Sequence, residues 1–271
     1  MNLEFGVRFL CVAAAASVAT VLLSRVAPRL GWTDAPEGAE AARKLQRSAV
    51  PCVGGAALLL ALACGGTQVF ASQAELWGRW LPELGWRLAT LLGVFAVGAW
   101  DDRAGLAPAP KALAQLAALA PLAVGAAGEH GAGPALLLLF VGFVALNLLN
   151  TFDNADGALA GLCALGFALT TPLVSAACLG FLPFNLDAAR RGESRAPSAY
   201  LGDSGAFVLA GLVLLQPRAA GLLLVPALDL ARLSVLRLRG GSRPWLGHHR
   251  CRPYVHHQLS GSYCPLHGGA G

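Results

Sequence analysis

Residues 146–162 read LNLLNTFDNADGALAGL, and the reading of this stretch decides the fold. Its leucines and alanines suit a membrane helix, yet it carries Asn147, Asn150, Asp153, Asn154 and Asp156. Carboxylates and amides at bilayer depth are unfavourable unless they face a polar interior or do chemistry. The surrounding sequence says which setting applies. The chain has 271 residues, 56% hydrophobic and 13% charged, with a mean hydropathy of +0.59. Soluble domains carry about a quarter charged residues, so this composition describes a membrane protein.

Apolar runs recur at Val7–Leu23, Val50–Phe70, Leu84–Trp100, Ala112–Ala127, Pro134–Leu149, Ala158–Phe181, Gly205–Leu215 and Gly221–Leu236. Several approach the ~20 residues needed to cross about 30 Å of hydrocarbon. The shorter ones are rich in Ala and Gly, which let helices pack closely where lipid gives no hydrophobic drive for association. The expected architecture is all-α: one polytopic helical bundle over residues 1–271, with about seven or eight membrane segments, some short or re-entrant. Arg8 followed by the small residues Ala13–Ala16 gives the first run some features of a signal peptide, but its length and the further segments favour a first membrane helix. The seven cysteines are scattered, with no CxxC pair, and read as buried free thiols.

Basic residues set the orientation. Alternating loops put segments 24–49, 101–111, 150–157, 185–204 and 230–260 on one face, which then holds all of the 20 Lys and Arg residues except Arg8, Arg79, Arg87 and Arg218. By the positive-inside tendency that face is cytoplasmic. The net charge of +5 is therefore mostly topology, with anionic membrane lipid as an additional partner, and nucleic acid is not an expected one.

The same face collects the acids. Asp101 and Asp102 follow an apolar run, Asp153 and Asp156 lie in the opening stretch, and Asp203 stands at the mouth of another run. Alone, an Asp-Asp pair is most often a solvated helix end, a GDSG segment a turn, and Asp203 an N-cap for a helix beginning near Gly205. Asp153 and Asp156 would share a face of a helix, or the stretch is a turn made by Asn154 and Gly157. Together, five carboxylates on one membrane surface repel one another unless a cation lies among them. Oxygen ligands without Cys or His favour Mg²⁺, with Mn²⁺ as the alternative, and leave room for phosphate.

These residues fall in blocks that resemble the polyprenyl-phosphate N-acetylhexosamine-1-phosphate transferases (glycosyltransferase family 4). The blocks are RKLQRSAVPCVGG (43–55), WDDRAGLAPAPKALAQL (100–116), NLLNTFDNADGALAG (147–161), GFLPFN (180–185) and YLGDSGAFVLAG (200–211), followed by PALDLARLSVLRLRGGSRPW. They occur in the family's order across most of the chain. The resemblance implies transfer of a sugar 1-phosphate, in the N-acetylglucosamine-type branch, from a UDP-N-acetylhexosamine to undecaprenyl phosphate, with Mg²⁺ and release of UMP. Members of the family serve cell-wall and lipopolysaccharide synthesis.

By position the resemblance puts Asp101, Asp102 and Asp203 around the metal and the lipid phosphate. Asp101 or Asp102 could alternatively take the acceptor's proton, and Asp153 belongs with them in the catalytic group. Asn150 and Asp156 fall with Asp153 on the nucleotide-sugar side. Lys111, Asn185, Arg252, His256 and His257 become substrate contacts. A homodimer is compatible with this reading. The alternative function is a catalytically impaired relative that binds lipid phosphate or a membrane partner. A cation-coupled transporter fits less well, because the acids lie at loop mouths and no internal repeat is visible.

The chain departs from the family at Asn154, in place of Gly, and at Gln46, in place of His. In the last loop, HHRCRPYVHHQL, Cys251 and Tyr254 replace an acid and a His. Residues 240–271 read as a cytoplasmic tail shorter than the family's. Between the DG at 156–157 and GFLPFN only residues 158–179 intervene, 22 in number, where the family makes two passes. One straight helix of that length spans about 33 Å and would deliver Asn185 to the opposite side. Residues 205–236, 32 in number, are likewise short for two passes. Either these stretches re-enter, with Pro172 and Pro217 as breakpoints, or they cross once and the site is not assembled.

Overall fold

The computed structural model describes residues 3–35, 49–71, 77–154, 156–186 and 198–240. Gln46 and the last-loop residues Arg252, His256 and His257, with Cys251 and Tyr254, lie outside the described residues, as does most of the tail expected over 240–271.

The eight apolar runs fall on nine α-helices among the described residues: α1 (Leu3–Leu30), α2 (Gly54–Ala71), α3 (Trp77–Ala104), α4 (Pro108–His130), α5 (Ala132–Phe152), α6 (Ala158–Gly166), α7 (Pro172–Asn185), α8 (Gly202–Leu215) and α9 (Leu224–Gly240). A 3₁₀ segment over Pro217–Leu223 joins α8 to α9. The all-α expectation acquires one small addition, an antiparallel ladder of β1 (Thr33–Asp34) with β2 (Val50–Pro51). Among the described residues three helices, α1, α4 and α5, are long and apolar enough to cross a membrane. Their outward leucines, valines and phenylalanines, such as Leu10, Leu136, Leu137 and Phe140, are more than half exposed, as lipid-facing side chains are.

Helix boundaries follow from local chemistry. Pro108 opens α4, where a missing N–H costs nothing. Gly131, at φ +85°, turns the chain between α4 and α5, a conformation that suits glycine. The single run expected over 158–181 is two helices. Pro172 cannot donate to the preceding turn and disfavours helical backbone at Thr171, so α6 stops and α7 starts afresh. At 1.5 Å per residue α6 is about 14 Å long and α7 about 21 Å, so neither spans a bilayer alone. The hairpin returns to its starting end: the Asn185 side-chain oxygen accepts the Gly157 N–H at 2.8 Å. Residues 158–185 therefore enter and leave on one side, and the break is at Pro172.

α8 is the most enclosed helix. It packs against α3, α5 and α2, while α7 packs against α1, α6 and α2, and α4 fills the space between α3 and α5. Glycines permit the closest approaches. A Cβ on Gly98 would lie 2.4 Å from the Ser204 Cα, one on Gly55 2.6 Å from the Ser204 carbonyl carbon, and one on Gly180 2.1 Å from the Ala13 oxygen. Small residues at such crossings are what membrane helices use to pack closely.

Candidate active site

Four of the five segments expected on one face, 24–49, 101–111, 150–157 and 185–204, meet through their described residues, and 230–260 adds none among them. α1 ends, α2 begins, α3 ends, α4 begins, α5 ends and α8 begins around one cavity of about 320 Å³. Its wall includes Asp34, Asp101, Asp102, Asp153 and Asp203, with Asn150, Asn154, Cys52 and Tyr200.

The tight turn from α3 into α4 supplies Asp101 and Lys111. One Asp101 oxygen accepts the Leu106 N–H at 2.7 Å, which closes that turn, and the other accepts Lys111 Nζ at 2.7 Å. Lys111 Nζ also pairs with Asp203, and the Asn150 amide donates to the same Asp203 oxygen at 3.1 Å. Three helices, α3, α4 and α8, are thus tied through one ammonium. The side chains of Lys111, Asp101 and Asp203 are 18%, 13% and 23% exposed, so the cluster is largely withdrawn from water. Removing one partner would leave a partly desolvated charge without compensation.

Asp102 does something else. Its two oxygens accept the Asp203 N–H at 2.7 Å and the Ser204 N–H at 3.0 Å, so it caps α8 from outside. The expectation that Asp203 N-caps that helix is corrected: the cap comes from α3, and Asp203 is turned to Lys111 and Asn150. A carboxylate on these first amides also meets the positive end of the helix dipole. Gly202 makes the arrangement feasible. It has φ +73°, and a Cβ there would lie 2.8 Å from an Asp102 oxygen.

Asp153 and Asp156 lie in a turn, not on a shared helix face. Asp153 follows the last residue of α5, and Gly157, at φ +76°, opens α6. Asn154, in the position where a glycine was expected, closes the turn by donating its amide to the Thr151 carbonyl. Among the described residues no side-chain hydrogen bond reaches Asp153 or Asp156. Asp153 keeps a little surface towards the cavity, yet burial pushes its carboxyl well above the usual carboxylate range, with Asp203, Asp156 and Asp102 adding to the effect. Burial raises Asp156 to about 6.

Asn185, expected to contact substrate, does not line the cavity. Its oxygen holds the Gly157 N–H, and its Nδ2 donates to the Ala199 carbonyl at 3.1 Å, so both ends of the amide are spent on structure. It holds the 157 turn and the strand-like segment before α8 together. Asp156 also stands off the cavity wall. Asn147 pairs with Gln115 on α4, donating at 3.0 Å, one turn from Asn150 and Lys111.

Asp34, Cys52 and Tyr200 were not singled out in the sequence. Tyr200 N–H donates to the Pro51 carbonyl at 2.8 Å, and its own carbonyl accepts the Gly54 N–H at 3.1 Å, which brings the first loop against α8. The signal for this wall was the Pro-Cys-Val-Gly-Gly stretch, whose glycines admit the α8 backbone.

Apart from Cys52, whose thiol is pushed up by burial and donates to the Val50 carbonyl, the cavity side chains that could meet a cation offer oxygen, which suits Mg²⁺ or Mn²⁺ better than softer metals. Among the described residues no three His, Cys, Asp or Glu side chains are already gathered around one point. Asp153 and Asp203 are the carboxylates with capacity to spare, since Asp102 is spent on backbone amides and Asp101 on Leu106 and Lys111. No known family model matches the chain, and no curated protein matches it.

Proposed function

We propose that this protein transfers a sugar 1-phosphate, N-acetylglucosamine 1-phosphate or that of a related N-acetylhexosamine, from its UDP-sugar to undecaprenyl phosphate. The products are a lipid diphosphate sugar and UMP. In the reaction an oxygen of the lipid phosphate bonds to the β-phosphorus of the UDP-sugar. The bond from that phosphorus to the oxygen bridging it to the α-phosphorus breaks, and UMP leaves with the electron pair.

The observation that carries this reading is the meeting, at one end of the helices, of Asp101–Asp102, Lys111, Asn150–Asp153 and Asp203. These are the residues that the resembling sequence blocks supply. The reading places the cavity on the cytoplasmic face of a bacterial inner membrane, in a bundle of seven or eight segments with α6–α7 as a re-entrant pair. That pairing supports an assembled site, because Asn185 returns to the side of Gly157.

Each group has a role that its surroundings suit. Asp153 and Asp203 would hold Mg²⁺, which when bound supplies positive charge to the diphosphate oxygens. Lys111 supplies a mobile positive charge beside them, and Asn150 orients Asp203. Asp102 acts through α8, fixing where Asp203 stands.

The test is an assay of purified protein with radiolabelled UDP-N-acetylglucosamine and undecaprenyl phosphate, with and without Mg²⁺. Lipid-linked product that requires Mg²⁺ and disappears in Asp203→Asn is the expected result. Absence of product with every UDP-N-acetylhexosamine tried would overturn the reading in favour of a silent lipid-phosphate-binding relative.

A further inference from the structure

Among the described residues the cavity wall carries five carboxylates, Asp34, Asp101, Asp102, Asp153 and Asp203, and no Arg, Lys or His. Lys111, which is not part of that wall, pairs with two of them, Asp101 and Asp203, and sits 5.4 Å from the centre of the Phe207 ring. Its chemical identity is unusual for this chain, which has 18 arginines and only two lysines, Lys44 and Lys111. An arginine would grip two carboxylates with a rigid planar fork. A lysine is a point charge on a flexible stem and leaves readily for another anion.

Asp203 is the shared element. One of its oxygens already receives both Lys111 and Asn150, so a cation arriving from the cavity competes with Lys111 for that carboxylate. Two cations on one carboxylate repel, whereas Asp101 holds Lys111 at 2.7 Å independently of Asp203, so the ammonium can leave Asp203 without losing every partner. We propose that Lys111 is an exchangeable internal counter-cation: it occupies Asp203 while the cavity is empty and yields that carboxylate when a divalent cation enters. The released ammonium then points at the anion that follows the cation in. The exchange rests on the transferase reading only for the identity of that anion, a phosphate.

The experiment measures the reactivity of Lys111 in the intact wild-type chain. Protein in detergent is treated with isotopic formaldehyde and cyanoborohydride, with MgCl₂ or with EDTA, and dimethylation of Lys111 is read by peptide mass spectrometry against Lys44. Mg²⁺ binding is followed in parallel by calorimetry. Labelling of Lys111 rises several-fold with Mg²⁺, and Lys111→Met binds Mg²⁺ about tenfold more tightly, as expected when a competing pair of ~1.4 kcal/mol is removed. Mg²⁺ binding without a change in Lys111 labelling overturns the exchange and leaves the transferase reading standing. No Mg²⁺ binding at any millimolar concentration overturns both.

Discussion

The long helices and the short ones solve different problems. Of the apolar stretches in α1 and α4 only 22% is buried, and in α5 28%, so these helices meet lipid over most of their surface. α8 is half as long as α1, yet Ser204–Gly211 and Val213 are all buried. A helix that faces lipid must satisfy its whole backbone across the bilayer, which fixes its length. A helix enclosed by others is released from that requirement and can stop where chemistry needs an end. α8 begins at Gly202, beside Asp203, α6 begins after Gly157 and α7 ends at Asn185, all at the cavity end of the bundle.

This contrast can be broken most severely at the contact between the two classes. Gly98→Val drives a side chain into the α8 backbone, and we expect no monodisperse protein in size-exclusion chromatography. Gly128→Val, on the open face of α4 with nothing within 4 Å, stays within about 0.5 kcal/mol of wild type. The hairpin tip gives the next largest difference. Phe167 is fully buried and Leu169 is 95% exposed. Phe167→Ala should lower stability by about 3 kcal/mol in thermal melts, and Leu169→Ala by less than ~0.5 kcal/mol.

At the site, Asp102→Asn removes the charge that caps α8. It should cost about 1–2 kcal/mol and abolish product formation. Asp203→Asn should abolish product with a smaller change in melting. The smallest effect concerns pH. Asp156 ionises at about 6 in the fold against 3.8 ordinarily, so between those values the folded state binds more protons. Stability then falls as pH rises from about 4 to about 6, and Asp156→Asn should flatten the melting profile there by ~1 kcal/mol.

Which of these features the sequence discloses follows the same division. Polar residues in an apolar chain stand out, so Asp101, Asp102, Lys111, Asn150, Asp153 and Asp203 were legible, and so was their common face. The division of 158–181 was not, because an apolar run has the same periodicity whether it is one span or two half-helices. Pro172 was the sole local sign. The cap on α8 was illegible for another reason: Asp102 and Asp203 are 101 residues apart, and nothing near either announces the pairing. Asn185 illustrates the converse. A polar residue in a stretch that resembles a transferase block suggests substrate, whereas its geometry is that of a strut.

The hairpin has a bearing on biogenesis. Residues 158–179 emerge during synthesis as a continuous apolar segment, long enough for the insertion machinery to thread straight through. What gathers them into a hairpin is a surface already in the membrane. α7 packs on α1, its Gly180 lies against the Ala13 carbonyl, and the Ser17 hydroxyl donates to the Gly180 carbonyl at 2.9 Å, across 163 residues of chain. α1, made before α7, is thus a template for it. A fault in α1 would be felt as an inverted topology of everything synthesised after residue 158.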